Sequence, residues 1–529
     1  MGHALLWIES LAAAVLFVAL CVAWIARLRR AWMRIMLSFV PSIVPLLLPG
    51  ALVLVLMGFE TWIGLRWTVI GGSLVLAYLV GAGIVIVRGL QRSAAEQPPR
   101  ANAWPRIKLL VACLVAAALT LTTFWNLDTA AKIRLSAVQA EAGALALSVA
   151  PPRIPDRDNA AFVYEQAFAL ISKPSDGWDA WDAEDGSLDA AHPELRTLLD
   201  QNESALALLR RAAAMPDCYF DRDWGRPSYD ILLPELAQFR GAAQLLCLDA
   251  RYQAWQGNTS TSLADLSATI LMARHIERGP LLITNLVALA VEGHAIETLR
   301  ALVRSADLTG DDLASIDLGG NLDVRRSMRR VFRSEMALGL GMFAQLGDEE
   351  AMLNIYGSGG MPAPWVVALY RVCLLDKDLE TYRAPFETLN DITTLSYSDA
   401  RAKWEATVLD TDVPEAVMAK QLGLIPHRAI EIMLAGGARH DVARLAVAAA
   451  RYRADHGVYP EKLPALTPDY INTILVDPFD DKPLKVTVTD EHVVIYSVGV
   501  NMMDEEGTAP EPDDPLCREG GDIAIRLPR

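Results

Sequence analysis

The sequence predicts a mainly α protein: four transmembrane helices, a helical-hairpin ectodomain and a small C-terminal α+β module. Three observations predict it. Hydrophobic residues make up 52% of the 529 residues, mean hydropathy is +0.24, and the apolar excess sits at the N-terminus. From about residue 158 onward, apolar positions recur at helical spacing between proline and glycine punctuation. The last stretch changes period, from a helical run to a strand-like run bounded by turns. At about 150 residues per domain such a chain holds several units. The expected divisions are a membrane domain at 1–126, a stalk or linker at 127–157, a helical ectodomain at 158–438 and the α+β module at 439–529.

Four apolar segments, at 5–26, 36–59, 67–87 and 109–125, each approach the ~20 residues that cross a hydrocarbon core. A cleaved signal peptide fits the first poorly, because no basic residue precedes it and Arg27, Arg29 and Arg30 follow it. Arg27, Arg29, Arg30 and Arg34 fall between segments one and two. Arg88, Arg92, Arg100, Arg106 and Lys108 fall between three and four. Short loops rich in Lys and Arg stay cytoplasmic, so a multi-pass inner-membrane protein is expected, with its large C-terminal domain on the periplasmic side. Ten Lys/Arg against three Glu give residues 1–126 a net +7. The overall −16 therefore leaves −23 for the rest. So acidic a domain is unsuited to nucleic acid. The expected partners are the lipid bilayer and other envelope proteins.

Pro151-Pro152 stops the stalk helix. Asp158 is placed to cap a helix over 159–171. Pro193 suits the first turn of a helix over 194–214, and Pro234 that of one over 235–255. Further helices are expected at 262–277, 281–303 and 325–343, another starting near Thr309, and one over 414–435 with a break at Pro426. Gly436-Gly437 is expected to separate this last helix from an apolar-periodic run beginning at Val442.

Cys218, Cys247, Cys373 and Cys517 allow three disulfide pairings, which sequence leaves open beside the alternative of free buried thiols. Catalytic signatures are not found. No His-Glu-x-x-His pair and no Gly-x-Ser-x-Gly elbow occurs, and no glycine is followed directly by lysine as a Walker loop requires. Residues 175–186 form an acidic, glycine-bearing loop, but no register places Gly and Glu as a calcium-binding EF-hand demands. Residues 217–226 crowd acids, arginines and aromatics together. Asp221 and Asp223 beside Trp224 suggest a glycan site, because glycoside hydrolysis uses two carboxylates ~5–10 Å apart. The alternative is that the aromatics anchor a packed loop.

The C-terminal stretch offers the most specific pattern. The helical run at 442–457 leads into Tyr459-Pro460. Asp477-Pro478-Phe479-Asp480-Asp481-Lys482-Pro483 forms a turn, Val493 to Val498 read as a strand ending Tyr496-Ser497-Val498-Gly499, and Gly521-Asp522-Ile523 close an acidic loop. This order resembles the periplasmic domain of the major pseudopilin of type II secretion, the protein G family. The resemblance implies a small α+β fold and a calcium ion held in the loop after the strand, with Asn501, Asp504 and Asp522 as side-chain ligands. Asn501 stands where the family carries Asp, and Glu505 and Glu506 lie close by. The family's leader and N-terminal assembly helix have no counterpart before residue 442, so polymerisation is not implied. The expected function is a non-enzymatic, membrane-anchored scaffold or protein-interaction protein linked to secretion or pilus-like machinery. The alternative is a periplasmic enzyme or ligand-binding protein acting on envelope glycans.

Overall fold

The computed structural model describes residues 104–528, apart from 175–192, 229–230, 232, 306–307, 319, 321, 348–363, 409–416, 423–426, 490, 511–513 and 515. The chain divides into two compact units, Met1–Ile133 with Pro362–Leu375, and Arg134–Met361 with Asp376–Arg529. In the first unit, Arg371 on α10 (Pro364–Cys373) donates to Asp128 on α1 (Trp104–Val149) at 2.7 Å, and the arginine is almost fully buried.

The expectation of four membrane-spanning helices is corrected, and with it the multi-pass inner-membrane location. Among the described residues, no helix is long and apolar enough to cross a membrane. The fourth segment belongs to α1, which runs on through Asp128, Lys132, Arg134 and Glu141. Further along α1, Ala131, Leu135, Val138, Ala142 and Ala146 recur three or four residues apart and are buried against protein. The segments at 5–26, 36–59 and 67–87 lie outside the described residues, as does the acidic loop at 175–186.

The second unit is dominated by helices. α2 (Ala160–Leu170) starts at Asn159, not Asp158, and the Asn159 side chain accepts from the Ala161 amide at 3.1 Å. The helix expected over 194–214 is two, α3 (Pro193–Gln201) and α4 (Glu203–Ala213). Asn202 breaks it because its buried side chain bonds both the Ser172 amide and the Ser172 carbonyl, at 2.8 and 3.0 Å. Its Nδ2 also donates to the Leu198 carbonyl at 2.9 Å, the local kind of bond by which Asn competes with a helix backbone. α5 (Glu235–Trp255) matches its expected span, and α6 (Thr259–Glu277) and α7 (Leu282–Ser305) follow as antiparallel neighbours. Tyr164 lies in their shared core, edge-to-face with Phe239 at 4.9 Å. Its hydroxyl donates to Nδ1 of His275, whose Nε2 donates to the Met215 carbonyl, both at 3.0 Å. Burial pushes His275 down to about 4, so the ring is neutral at physiological pH.

A capping box between Thr309 and Asp312 starts α8 (Gly310–Ser315). α9 (Val324–Gln345) begins at Asp323, whose side chain accepts from the Arg326 amide at 2.9 Å. α11 (Leu375–Ile392), which contains Pro385, and α12 (Tyr397–Val408) come next. Buried Asp378 accepts from the amides of Met418 and Ala419, at 2.7 and 3.0 Å, and so caps α13 (Val417–Leu422).

The last helix departs most from expectation. α14 (His427–His456) passes unbroken through Gly436-Gly437. The glycines mark close approach instead of a break: a Cβ on Gly436 would lie 2.4 Å from Leu289, and one on Gly437 2.4 Å from Val324. α14 covers a three-stranded antiparallel sheet of β1 (Lys485–Val488), β2 (His492–Ser497) and β3 (Ile523–Pro528), with β2 central. Ile495 pairs with Ile525 and with Val486. One apolar cluster joins Ile270 and Leu299 to Val442, Ile495 and Leu527, so helices and sheet share a core. The four cysteines left open by sequence are free thiols.

Close packing gives a direct test. A Cβ on Gly341 of α9 would lie 1.8 Å from the Pro227 carbonyl oxygen. Gly341→Ala should lower stability by about 1–3 kcal/mol, the usual cost of overpacking, as a reduced urea midpoint. An unchanged midpoint would refute the packing described.

Candidate functional site: an arginine-walled cavity

α9 carries Arg325, Arg326, Arg329, Arg330 and Arg333. Its inward face is set by Met328, Val331, Phe332 and Ala337, all buried. Arg325 turns to the end of α11, donating to the carbonyls of Thr393 and Leu395 at 3.0 and 2.6 Å. The other four recur at helical spacing and form one wall of a cavity of about 570 Å³. The end of α1 with Pro151, Pro152 and Ile154 supplies a largely apolar wall. Asp217, Cys218 and Arg278 supply the rest.

Two of the five arginines are committed to structure. Arg278 donates to the Pro216 carbonyl at 2.8 Å and pairs with Asp217. Arg330 bonds the Glu277 carbonyl at the end of α6 and reaches its carboxylate at 3.4 Å. Burial pulls Arg330 below its usual value, with Arg326 adding to the pull and Glu277 opposing it, but a guanidinium remains charged. Its Nε is buried with no hydrogen-bond partner. The other three are not neutralised. Among the described residues, Arg329 reaches only the Thr393 hydroxyl, at 3.4 Å. Among the described residues, no carboxylate pairs with Arg326 or Arg333, both exposed. Five guanidinium groups against Asp217 and Glu277 leave +3 in a region whose chain carries −23.

The cavity holds charge and lacks an activated nucleophile. Burial pushes the Cys218 thiol up to about 12, so it stays protonated, and thiol chemistry needs the thiolate. Planar guanidinium groups instead suit bidentate capture of phosphate or carboxylate.

The structure brings the acidic-loop residues expected from sequence into one cluster. Asn501 Nδ2 donates to Glu505 Oε1 at 3.1 Å, and its Oδ1 accepts from the Met503 amide at 2.8 Å. Asp504 accepts from Tyr496 and the Glu506 amide, at 3.0 and 3.2 Å. Asp522 is fully buried; its Oδ2 accepts from the Gly507 amide at 2.7 Å, while its Oδ1 and Glu505 Oε2 are buried without partners. Among the described residues, no group of three or more His, Cys, Asp or Glu is disposed to hold a metal.

The acids at 217–226 each have a partner of their own, Asp217 in Arg278. Asp221 pairs with Arg153 at 2.6 Å, and Asp223 accepts from the Gly225 amide at 3.1 Å. Trp224 is buried against Ala146, Leu281 and Ala337. Sequence reading passed over a buried network: Glu292 accepts from Arg274, meets His440 Nδ1 at 2.8 Å, and His440 Nε2 donates to the Gly320 carbonyl at 2.7 Å. It ties α6, α7 and α14 together.

Fold and site together define a mainly helical protein with a small antiparallel sheet and an arginine-walled cavity. No protein-family model, no curated protein and no solved structure matches the chain. The likeness of residues 439–529 to pseudopilins thus rests on its short motifs alone.

Asp522 generates a pH prediction. Burial pushes it up to about 6, with Glu505 and Asp504 adding to the rise and the Gly507 amide opposing it. The unfolded chain releases this proton near pH 3.9. The folded state then holds it more tightly between pH ~4 and ~6, and stability falls as pH rises through that window. Asp522→Asn removes this contribution. Its urea midpoint relative to the parent should rise between pH 4.5 and 7; a difference independent of pH would refute the assignment.

Proposed function

We propose that this chain is a binding protein for a small anionic ligand, held in the arginine-walled cavity. One observation carries the reading: Arg326, Arg329 and Arg333 share one helix face and, among the described residues, have no carboxylate partner, on a chain that is otherwise strongly acidic. A cleft lined by one sign of charge concentrates ions of the other. The cavity volume of about 570 Å³ falls within the ~300–1,000 Å³ typical of small-molecule sites. This reading departs from the expected membrane-anchored scaffold and lies nearer the alternative of a ligand-binding protein, with an anion in place of a glycan.

The test is calorimetric titration of the full chain with inorganic phosphate, sulfate and pyrophosphate. Charge-assisted hydrogen bonds contribute about 1.5–3 kcal/mol each, so Arg329→Ala/Arg333→Ala should weaken binding at least tenfold. Added salt should weaken the parent's binding as well. No heat from phosphate, sulfate or pyrophosphate at about 10 mM, a concentration above the ~1 mM Kd that corresponds to −4.1 kcal/mol, would refute the proposal.

A second reading concerns calcium in the acidic loop, and a specific observation favours it. Asp522 Oδ1 and Glu505 Oε2 are two buried carboxylate oxygens without donors, the kind of atom a hard cation satisfies. Asp522 and Glu505 would lead such a site, with Asn501 and Asp504 at its edge already engaged by amides and Tyr496. At ~1 mM, the weak end for extracellular sites, calcium should raise the melting temperature of the parent and leave Asp522→Asn unmoved. Equal response of both proteins would end the reading.

A further inference from the structure

We infer that the cavity's ligand carries at least two phosphate groups in series, as in a diphosphate ester, next to an apolar portion. The inference rests on the anion-binding reading above and goes further, to the class of ligand.

The first ground is spacing. A helix rises about 1.5 Å per residue, so Arg326 and Arg329 are about 4.5 Å apart along the axis, and Arg326 and Arg333 about 10.5 Å. The three unpaired guanidinium groups thus form a row, not a single cup. One phosphate at one end of that row leaves the far arginine without a counter-charge. A linked pair of phosphates lies along it, each accepting two parallel N–H bonds from a guanidinium fork.

Charge is the second ground. Asp217 and Glu277 already answer Arg278 and Arg330, which leaves three positive charges. A single phosphate group carries about −1.5 to −2 near neutral pH, too little to match them. Two linked phosphates carry more.

The third ground is the opposite wall. Val149, Pro151, Pro152 and Ile154 line the cavity and carry no side-chain donor. They suit a part of the ligand with no charge, so the arginine row takes the anionic end and the proline wall the remainder.

The experiment compares three probes on the full chain by calorimetry: inorganic phosphate, pyrophosphate and citrate. Pyrophosphate should bind at least about tenfold more tightly than phosphate and than citrate. Arg326→Ala and Arg333→Ala alter exposed, unpaired side chains, so each variant should keep the parent's circular dichroism spectrum. Each should lose about five- to tenfold in pyrophosphate affinity and less in phosphate affinity, bringing the two probes together. Equal binding of phosphate and pyrophosphate overturns this inference and leaves simple anion binding standing. Citrate binding as tightly as pyrophosphate overturns the assignment to phosphates. Binding of none of the three overturns both readings.

Discussion

The register of α9 is the constraint on which the cavity depends. Asp323 fixes where the helix begins, and Arg325 fastens its first turn to the carbonyls of Thr393 and Leu395. Phe332 and Phe343 are fully buried along its inner face. Gly341 lies against the Pro227 carbonyl too closely for any side chain. Tyr382 bonds the Glu335 carbonyl at 3.0 Å, and the Glu335 carboxylate accepts from the first amide of α7 at 2.8 Å. With the helix held at both ends and along one face, its rotation is fixed. Arg326, Arg329, Arg330 and Arg333 then face the cavity as a consequence. A rotation of one residue, about 100°, would turn polar atoms into the core and disperse the row.

The charge balance follows from the same packing. Free carbonyls at helix ends need donors, and Arg278, Arg325 and Arg330 are spent on backbone carbonyls at or just past the ends of other helices. The remaining three exceed what local structure uses. Like charges side by side repel one another, and an anion placed among them would relieve that repulsion; the net −16 of the whole chain makes the local excess of positive charge stand out. Cys218, though it lines the same space, is held as an inert thiol by its burial.

How much of this was legible in sequence depends on the range of the interaction. Local signals performed well: Pro234 with its apolar face gave α5 its observed span, and Thr309 with Asp312 marked a helix start. Asn202 misled because its partner, Ser172, is 30 residues away. Gly436-Gly437 read as a break because Leu289 and Val324, which need their smallness, are distant in sequence. Residues 364–408 received no helix assignment although three helices lie there; Pro385 sits inside one of them, where a rule of thumb ends the helix. The apolar segment at 109–125 scored as membrane because hydropathy sums composition and ignores what the rest of a helix packs against. The arginine spacing of α9 was visible in the sequence. Its meaning was not, because the opposite wall comes from residues 148–154 and the floor from 217–218 and 278, and only folding brings these together.

The most direct measurement is the position of a bound anion. Anomalous diffraction from crystals of the full chain soaked in tungstate, an electron-rich oxyanion, locates it without reference to affinity. The account predicts a peak within hydrogen-bonding distance of the Arg329 and Arg333 guanidinium groups. Tungstate sites elsewhere on the surface, with the arginine row empty, would contradict it.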